Sequence, residues 1–259
     1  MKIYIPTLGR IHTQITWDNL PEFLRQKTYL ICPPEEVAPH AQHGRQAIAC
    51  SVNGVFPISH VRQWILDQEN ARFLMMDDDL DFCARISDND WHLRQASIED
   101  FQRLYDLLEN LFNRYPHIGL SPRAGNNRIT KKIMYAARQH AVYGVNPEFM
   151  RRFNIRFDQV PLMEDFDVTL HLLRKGYSNA VIYHYCWNHG VSNSAGGCSD
   201  YRTQDLQTRA AHLLKSRHPD FVRIVEKQTK VSWAGMKIRT DVQVEWKRAY
   251  ESAWHGVLR

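Results

Sequence analysis

The 259-residue sequence predicts an α/β fold in which helices flank a mostly parallel sheet. Strand-like runs alternate with helical stretches along the first two hundred residues. The run Phe73 to Met76 is continuously apolar, as in parallel strands that are buried on both faces. Hydrophobic residues make up 44% of the chain, which is enough for a sizeable core. In an open sheet of this kind, ligands bind beyond the carboxyl ends of the strands.

The elements follow in order from apolar periodicity and from turn residues. The predicted strands are 3–6, 28–31, 73–76, 117–120 and 180–187. The predicted helices lie around 15–25, 59–68, 97–115 and 164–175. Ser97 and Asp100 form a capping box at the start of the third helix, and Pro116 ends it. Gly176 occupies the C-cap position of the last helix.

The charge is unevenly distributed along the chain, and this uneven distribution predicts that the chain is divided into two regions. Residues 201–259 contain 12 Lys and Arg against 6 Asp and Glu, whereas the rest contains 21 against 22. We expect a domain over 1–200 and a basic helical C-terminal extension over 201–259 packed on it. The basic excess suits a polyanionic partner such as DNA, and it also suits a solvated helical face.

Three adjacent aspartates, Asp77, Asp78 and Asp79, directly follow the predicted strand 73–76. Adjacent carboxylates repel one another unless a cation or backbone donors compensate them. Mg²⁺ and Mn²⁺ prefer such oxygen ligands and bridge them to substrate phosphates. An acidic surface turn is the alternative, but the position at a strand end favours a metal and diphosphate site.

A second acidic group, Glu164, Asp165 and Asp167, occupies the first turn of a predicted helix. Acids in a first turn interact favourably with the helix dipole, which is a purely structural role. The other interpretation is that one of them is a general base for a hydroxyl group.

Several further side chains are candidates for the same site. Arg10 and Arg62 are candidate phosphate partners, since a guanidinium can bind phosphate oxygens, and surface ion pairs are the alternative. His189, just beyond the last strand, is a candidate third metal ligand, with His184 as the alternative. Gly196 and Gly197 allow close backbone approach to a ligand, but they also fit an ordinary loop.

These motifs, IYIPTLGR, FLMMDDDLDF and MEDFDVTLHLLRKGY, occur in the order found in glycosyltransferases of the GT-A (Rossmann-like) fold, which the chain resembles over residues 1–200. The resemblance implies that Asp77 and Asp79 bind Mn²⁺ or Mg²⁺ and that Asp77 and Asp78 contact a nucleotide-diphosphate sugar such as a UDP-sugar. It places Pro6, Thr7 and Arg10 near the nucleotide. It also implies an inverting reaction with Asp165, or else Glu164, as the base.

PTLGR, PISHVRQWIL and GGCSDYR are similar more narrowly to the TET-associated glycosyltransferases of bacteriophages. This resemblance implies transfer of a hexose or pentose to a hydroxymethylated base in phage DNA, such as 5-hydroxymethylcytosine. Gly196, Gly197 and Arg202 would then contact the acceptor. The location would be the cytoplasm of the bacterial host.

Other functions remain open from the sequence. The same donor site would serve a cell-surface polysaccharide or lipid-linked sugar transferase. Clustered acids also occur in metal-dependent nucleases and nucleotidyltransferases. A non-enzymatic DNA-binding protein with structural acids is a further alternative. Five scattered cysteines without a CxxC pair predict reduced thiols, and no apolar run is long enough to predict a membrane span.

Overall fold

The computed structural model of the protein describes residues 1–52, 56–189, 201–233 and 236–255, with side chains except at 229–233, 236, 237 and 255. The strands found there are β1 (Lys2–Pro6), β2 (Thr28–Cys32), β3 (Ala47–Ala49), β4 (Phe73–Met76), β5 (Leu80–Arg85), β6 (Leu93–Gln95), β7 (His117–Pro122), β8 (Ile133–Tyr135), β9 (Val142–Val145), β10 (Ala180–His189), β11 (Val222–Trp233) and β12 (Met236–Val244). The helices are α1 (Ile15–Asn19), α2 (Glu22–Arg25), α3 (Pro34–Gln42), α4 (Ile58–Gln68), α5 (Ile98–Phe112), α6 (Pro147–Arg152), α7 (Glu164–Arg174), α8 (Gln204–Arg217) and α9 (Trp246–His255).

The first ten strands form one sheet in the order β3-β2-β1-β4-β9-β7-β10-β5-β6, with β8 paired to β10. Three strands, β5, β8 and β9, are antiparallel to their neighbours in the sheet. The parallel pairs include β1 with β2 and β1 with β4. The predicted α/β fold with a mostly parallel sheet is therefore confirmed. The chain moves outward in one direction from β1 to β2 and β3, and in the other from β1 to β4. This places a topological switch point between β1 and β4.

Both faces of the sheet are buried. Tyr4, Phe73 and Met75 pack in a cluster with α4, α7 and α8 on one face. On the other face, Ile3, Leu74 and their neighbours pack against α1 and α5. Burial on both sides explains why β4 is continuously apolar.

Two predictions of local structure are corrected. The predicted helix 15–25 is divided into α1 and α2, because Pro21, which lacks a backbone N–H, is extended at the start of α2. The C-terminal extension is not wholly helical, because the antiparallel β11 and β12 lie between α8 and α9. Val222, Ile224 and Val242, Val244 supply apolar residues at a strand period that the charge of this region conceals.

The extension packs on the sheet domain and shares its core. Ala210, Leu214, Val242 and Ala249 belong to the same buried cluster as the sheet residues above. In the part of the chain that the structure describes, we find no helix that is both long and apolar enough to cross a membrane.

Candidate active site

A cavity of about 340 Å³ opens at the carboxyl ends of β1 and β4. Because these two strands are parallel neighbours, Thr7 after β1 and the three aspartates after β4 meet at the same edge of the sheet. The N-terminus of α7 also lines the cavity. The cavity thus lies at the switch point, where open α/β sheets bind their ligands.

Asp78 is held at the floor of this cavity by side chains that follow β1. Its carboxylate accepts a hydrogen bond from the Thr7 hydroxyl at 2.6 Å and from Arg10 at 2.5 Å. The buried Gln14 amide donates to the Thr7 oxygen at 2.7 Å and so fixes that hydroxyl. Burial raises the pKa of Asp78 to about 7, and Arg10 and Thr7 oppose this shift.

Asp77 is joined to the start of α7 through Arg62 of α4. The Arg62 guanidinium, 5% exposed, donates to Asp77 at 2.6 Å and also to Glu164. Thr16 fixes the backbone of the turn by donating to the Asp77 carbonyl and accepting from the Leu80 amide. Arg62 therefore links the two acidic groups, and its predicted phosphate contact stays a prediction.

The three acids in the first turn of α7 have different surroundings. Glu164 is buried against Arg62. Asp167, 1% exposed, accepts hydrogen bonds from Arg217 at 2.7 Å and from His218 at 2.8 Å. Glu164 and Asp167 are thus both paired with cationic side chains. The pairing of Asp167 attaches α7 to the extension.

Asp165 lines the cavity and has no ion pair in the described part of the chain. The one hydrogen bond of its carboxylate there is accepted from the Phe166 amide at 2.9 Å. Burial and the neighbouring Glu164 carboxylate raise the pKa of Asp165 to about 7, while Arg62 and Arg138 act in the opposite direction. Such a carboxyl can take up and release a proton near neutral pH.

Three cavity residues, Arg138, His140 and Trp187, were not singled out from the sequence as site residues. The His140 ring meets Trp187 edge-on with centroids 4.7 Å apart, and His189 stacks on the same indole at 5.6 Å. Burial lowers the pKa of His140 well below its usual value, so this imidazole is neutral. No local sequence signal marks His140. The sequence marks Arg138 only as the end of a basic run, Arg123 to Arg138, that could meet a polyanion, and the fold brings both residues to the cavity.

The extension closes the cavity with Tyr201, Arg202, Gln207, Arg239 and Asp241. The Tyr201 hydroxyl accepts from the Ile58 amide at 2.9 Å and so ties the extension to the start of α4. Arg239 and Asp241 of β12 form an ion pair at 3.1 Å. The β11–β12 hairpin, which the sequence did not predict, therefore supplies charged side chains to the site.

The structure brings the predicted site residues in its described part to this one cavity. They are Pro6, Thr7, Arg10, Arg62, Asp77, Asp78, Asp79, Glu164, Asp165, His189 and Arg202. His184 is elsewhere, with its Nδ1 3.9 Å from Asp88. Gly196 and Gly197 lie outside the described residues.

The aspartate cluster presents carboxylate oxygens of the kind that a divalent cation binds. The described residues contain no ready-made group of three His, Cys, Asp or Glu side chains for a metal ion. Mg²⁺ and Mn²⁺ are nevertheless commonly held by one or two carboxylates together with substrate phosphates. Asp77 and Asp79, with side chains 38% and 29% exposed, supply such oxygens in the cavity.

The fold and cavity define an α/β protein with a ligand site at the switch point of its sheet. The chain belongs to the TET-Associated Glycosyltransferase family, whose model matches residues 1–197. Membership agrees with the GT-A-like fold that the motifs implied. The whole extension, residues 201–259, lies beyond the matched residues. None of the curated proteins matches the chain.

Solved structures give a distant likeness. S. aureus TarS (residues 1–349) has a TM-score of 0.47 and 8% identity, over 83% of this chain and 66% of that one. The CTP complex of CMP:2-keto-3-deoxy-manno-octonic acid synthetase has a TM-score of 0.44 and 10% identity, over 84% and 97%. GalNAc-T7 with UDP, GalNAc and Mn²⁺ has a TM-score of 0.45 and 8% identity, over 75% and 45%. The chain thus spans less than two thirds of the TarS and GalNAc-T7 chains.

Proposed function

We propose that this protein transfers a sugar from a nucleotide-diphosphate donor, such as a UDP-sugar, to a hydroxyl group on a hydroxymethylated DNA base. The observation that carries the proposal is that the aspartate cluster and Asp165 lie in one cavity. The two other acids of the first turn, Glu164 and Asp167, both form ion pairs with arginines. Family membership supports glycosyl transfer as the reaction class.

The β1 and β4 edge of the cavity suits the donor. Asp78 is fixed by Thr7 and Arg10, so its carboxylate can accept a hydrogen bond from a nucleotide without moving. Asp77 and Asp79 would hold Mn²⁺ or Mg²⁺, with His189 in the same cavity as a further ligand. When bound, such an ion would neutralise charge on the diphosphate as it leaves.

Asp165 suits the general base of an inverting transfer. The acceptor hydroxyl oxygen forms a bond to the anomeric carbon, and the bond from that carbon to the diphosphate oxygen breaks. The hydroxyl proton goes to the Asp165 carboxylate, and the nucleoside diphosphate leaves with the bonding electrons. Glu164 is a poorer candidate for the base, because its carboxylate is already bonded to Arg62 in a buried pair.

A DNA acceptor fits the charge of the chain and of its extension. The net charge is +5, and residues 201–259 carry the excess of Lys and Arg. Lys and Arg contacts to phosphates supply most of the affinity for DNA that does not depend on sequence. An enzyme that acts on a base in duplex DNA would also have to extrude or otherwise accommodate that base.

The test incubates the protein with Mn²⁺, a panel of nucleotide sugars, and duplex DNA that contains either 5-hydroxymethylcytosine or cytosine. Nucleosides are then analysed by mass spectrometry. We expect a gain of one hexose or pentose on the hydroxymethylated base alone. Donor hydrolysis without any gain on DNA would retain the donor site and contradict the DNA acceptor, and it would favour a polysaccharide acceptor.

A further inference from the structure

The connection between β8 and β9, residues 136–141, is held rigidly at the cavity. Ala136 and Ala141 have φ angles of 46° and 63°, in the left-handed region that residues with a Cβ rarely adopt. Strain of this kind persists only where surrounding contacts impose it, and it is concentrated at functional sites. The connection is thus shaped by its neighbours rather than by its own preference.

Buried amides impose this shape. The Gln139 side chain, fully buried, donates to the Ile118 carbonyl and accepts from Asn179 at 2.8 Å. Asn179 also bonds both the amide and the carbonyl of Ala137, at 3.0 and 2.8 Å. A Cβ at Gly119 would lie 2.6 Å from the Gln139 amide nitrogen, so glycine is needed there for the close approach. At the other end, the Ala141 carbonyl accepts from the Asp77 amide at 2.9 Å.

This rigid connection presents Arg138 to the cavity. The side chain is exposed to the cavity, and its guanidinium lies 4.8 Å from the centre of the Phe166 ring. Within the described ranges, no carboxylate lies within ion-pair distance of Arg138 and no hydrogen bond from its guanidinium is formed. A bound anion would supply the partner that the described residues do not, which is favourable for a guanidinium. Arg10 and Arg62, by contrast, are both bonded to carboxylates.

Arg138 lies beside the first turn of α7, on the side where the extension packs. Its guanidinium stands over the ring of Phe166, the residue after Asp165. That ring meets Trp246 of α9 edge-on, with the centroids 5.3 Å apart. The ion pair of Arg239 and Asp241 in β12 lines the same cavity. If Asp165 takes the proton of the acceptor, Arg138 lies on the acceptor side of the cavity.

We propose that Arg138, with Arg239 of β12 in the same cavity, binds a backbone phosphate next to the target nucleotide and so makes the enzyme select a phosphodiester acceptor. The inference rests on the proposed glycosyl transfer and adds the chemistry of the acceptor. Guanidinium groups bind phosphate oxygens through two parallel hydrogen bonds. The donor diphosphate is the other source of phosphate in the reaction, and the experiment separates the two.

The experiment compares wild type and Arg138→Gln on oligonucleotides that contain 5-hydroxymethylcytosine. One oligonucleotide has normal linkages, and the other has uncharged methylphosphonates on both sides of the target. We expect Arg138→Gln to raise the KM for normal DNA roughly 10-fold to 100-fold, as the loss of a hydrogen bond between charged groups implies. The methylphosphonates should impair wild type by a similar factor and should impair Arg138→Gln little further.

The matched control is Arg128→Gln, which removes the same charge from an exposed arginine outside the cavity lining. Equal effects of the two substitutions would overturn the inference, because general attraction to DNA would then explain both. An increase of the donor KM in Arg138→Gln would assign the phosphate to the donor instead. Equal sensitivity of wild type and Arg138→Gln to methylphosphonates would also overturn the inference.

The results with wild type distinguish a failure of this inference from a failure of the proposed function. If wild type glycosylates the normal oligonucleotide, the function stands and only the role of Arg138 is in question. If wild type glycosylates no DNA, both are wrong. The melting temperature of Arg138→Gln should stay close to that of wild type, because no hydrogen bond or ion pair to Arg138 is lost among the described residues.

Discussion

The aspartate cluster and the first turn of α7 both bring carboxylates to the cavity, but they hold them differently. Asp77 and Asp78 each accept a hydrogen bond from an arginine, and Thr7, Gln14 and Thr16 fix the surrounding groups. In the described structure the Asp165 carboxylate accepts a hydrogen bond only from a backbone amide. A carboxylate fixed by donors is suited to hold a ligand in place, whereas one without a cation partner is suited to exchange a proton. The predictions below test this division of roles, in order of decreasing effect.

The largest effect is expected for Asp165→Asn. An amide cannot accept the hydroxyl proton, so we expect kcat to fall about 10²-fold to 10⁴-fold. The KM of the donor should change little, because the donor contacts are assigned to the cluster. Steady-state kinetics of transfer measure both values. A variant that retains wild-type kcat would remove Asp165 from the mechanism.

Asp79→Asn should reduce transfer by about 10²-fold to 10³-fold, the range seen when one group that stabilises transition-state charge is lost. It should also raise the Mn²⁺ concentration needed for half-maximal rate. The control is Asp81→Asn, because the Asp81 carboxylate accepts from Asn19 at 2.7 Å and lies outside the cavity lining. Metal titrations that are identical for Asp79→Asn and wild type would contradict the metal assignment.

Arg62→Met tests the link between the two acidic groups. It leaves Asp77 and Glu164 without their shared cation, and breaking a buried ion pair in this way costs about 3–5 kcal/mol of unfolding free energy. Urea denaturation measures the loss. Arg94→Met is the control, since Arg94 is 43% exposed and its pair with Asp100 should contribute about 1 kcal/mol or less. Similar losses of unfolding free energy in both variants would show that the buried ion pairs of Arg62 stabilise the fold no more than the pair of Arg94 does.

Thr7→Val should have the smallest effect. It removes the hydroxyl that donates to Asp78 and accepts from Gln14, and it leaves the buried Gln14 amide short of a partner. We expect a loss of about 1–3 kcal/mol in unfolding free energy and a higher KM for the donor. Thr7→Ser keeps the hydroxyl and should behave like wild type in both measurements. If the serine variant is as impaired as the valine variant, shape rather than hydrogen bonding is responsible.

The sheet domain could be predicted from the sequence because its signals are local. β4 is a continuous apolar run, Ser97 and Asp100 form the predicted capping box, and Gly176 has the positive φ angle of 83° expected after α7. The extension was harder to predict, because the alternation of β11 and β12 is partly hidden among Lys, Arg and Glu residues. Charge alone suggested helices there.

The site was predictable where motifs mark it and not where only folding assembles it. Asp77 and Asp165, which both line the cavity, were predicted as candidates because clustered acids follow a strand and begin a helix. The pairing of Arg62 with Glu164 joins residues 102 positions apart, and no local pattern indicates it. Arg138 depends on the strained Ala136 and Ala141 and on the buried Gln139, so its position follows from tertiary contacts.

The most direct test of the account is the pH dependence of kcat for sugar transfer to DNA at saturating donor. Burial raises the pKa of Asp165 to about 7, so the ionised base becomes more abundant as the pH rises through this value. Burial also raises the pKa of Asp78 to about 7, and at saturating donor the titration of this donor-binding group no longer limits the rate. We predict that wild-type kcat at saturating donor increases with pH below about 7 and is constant above it, and that Asp165→Asn lacks this dependence in its residual activity. The same acidic limb in both proteins would show that another group is the base and would contradict the central claim.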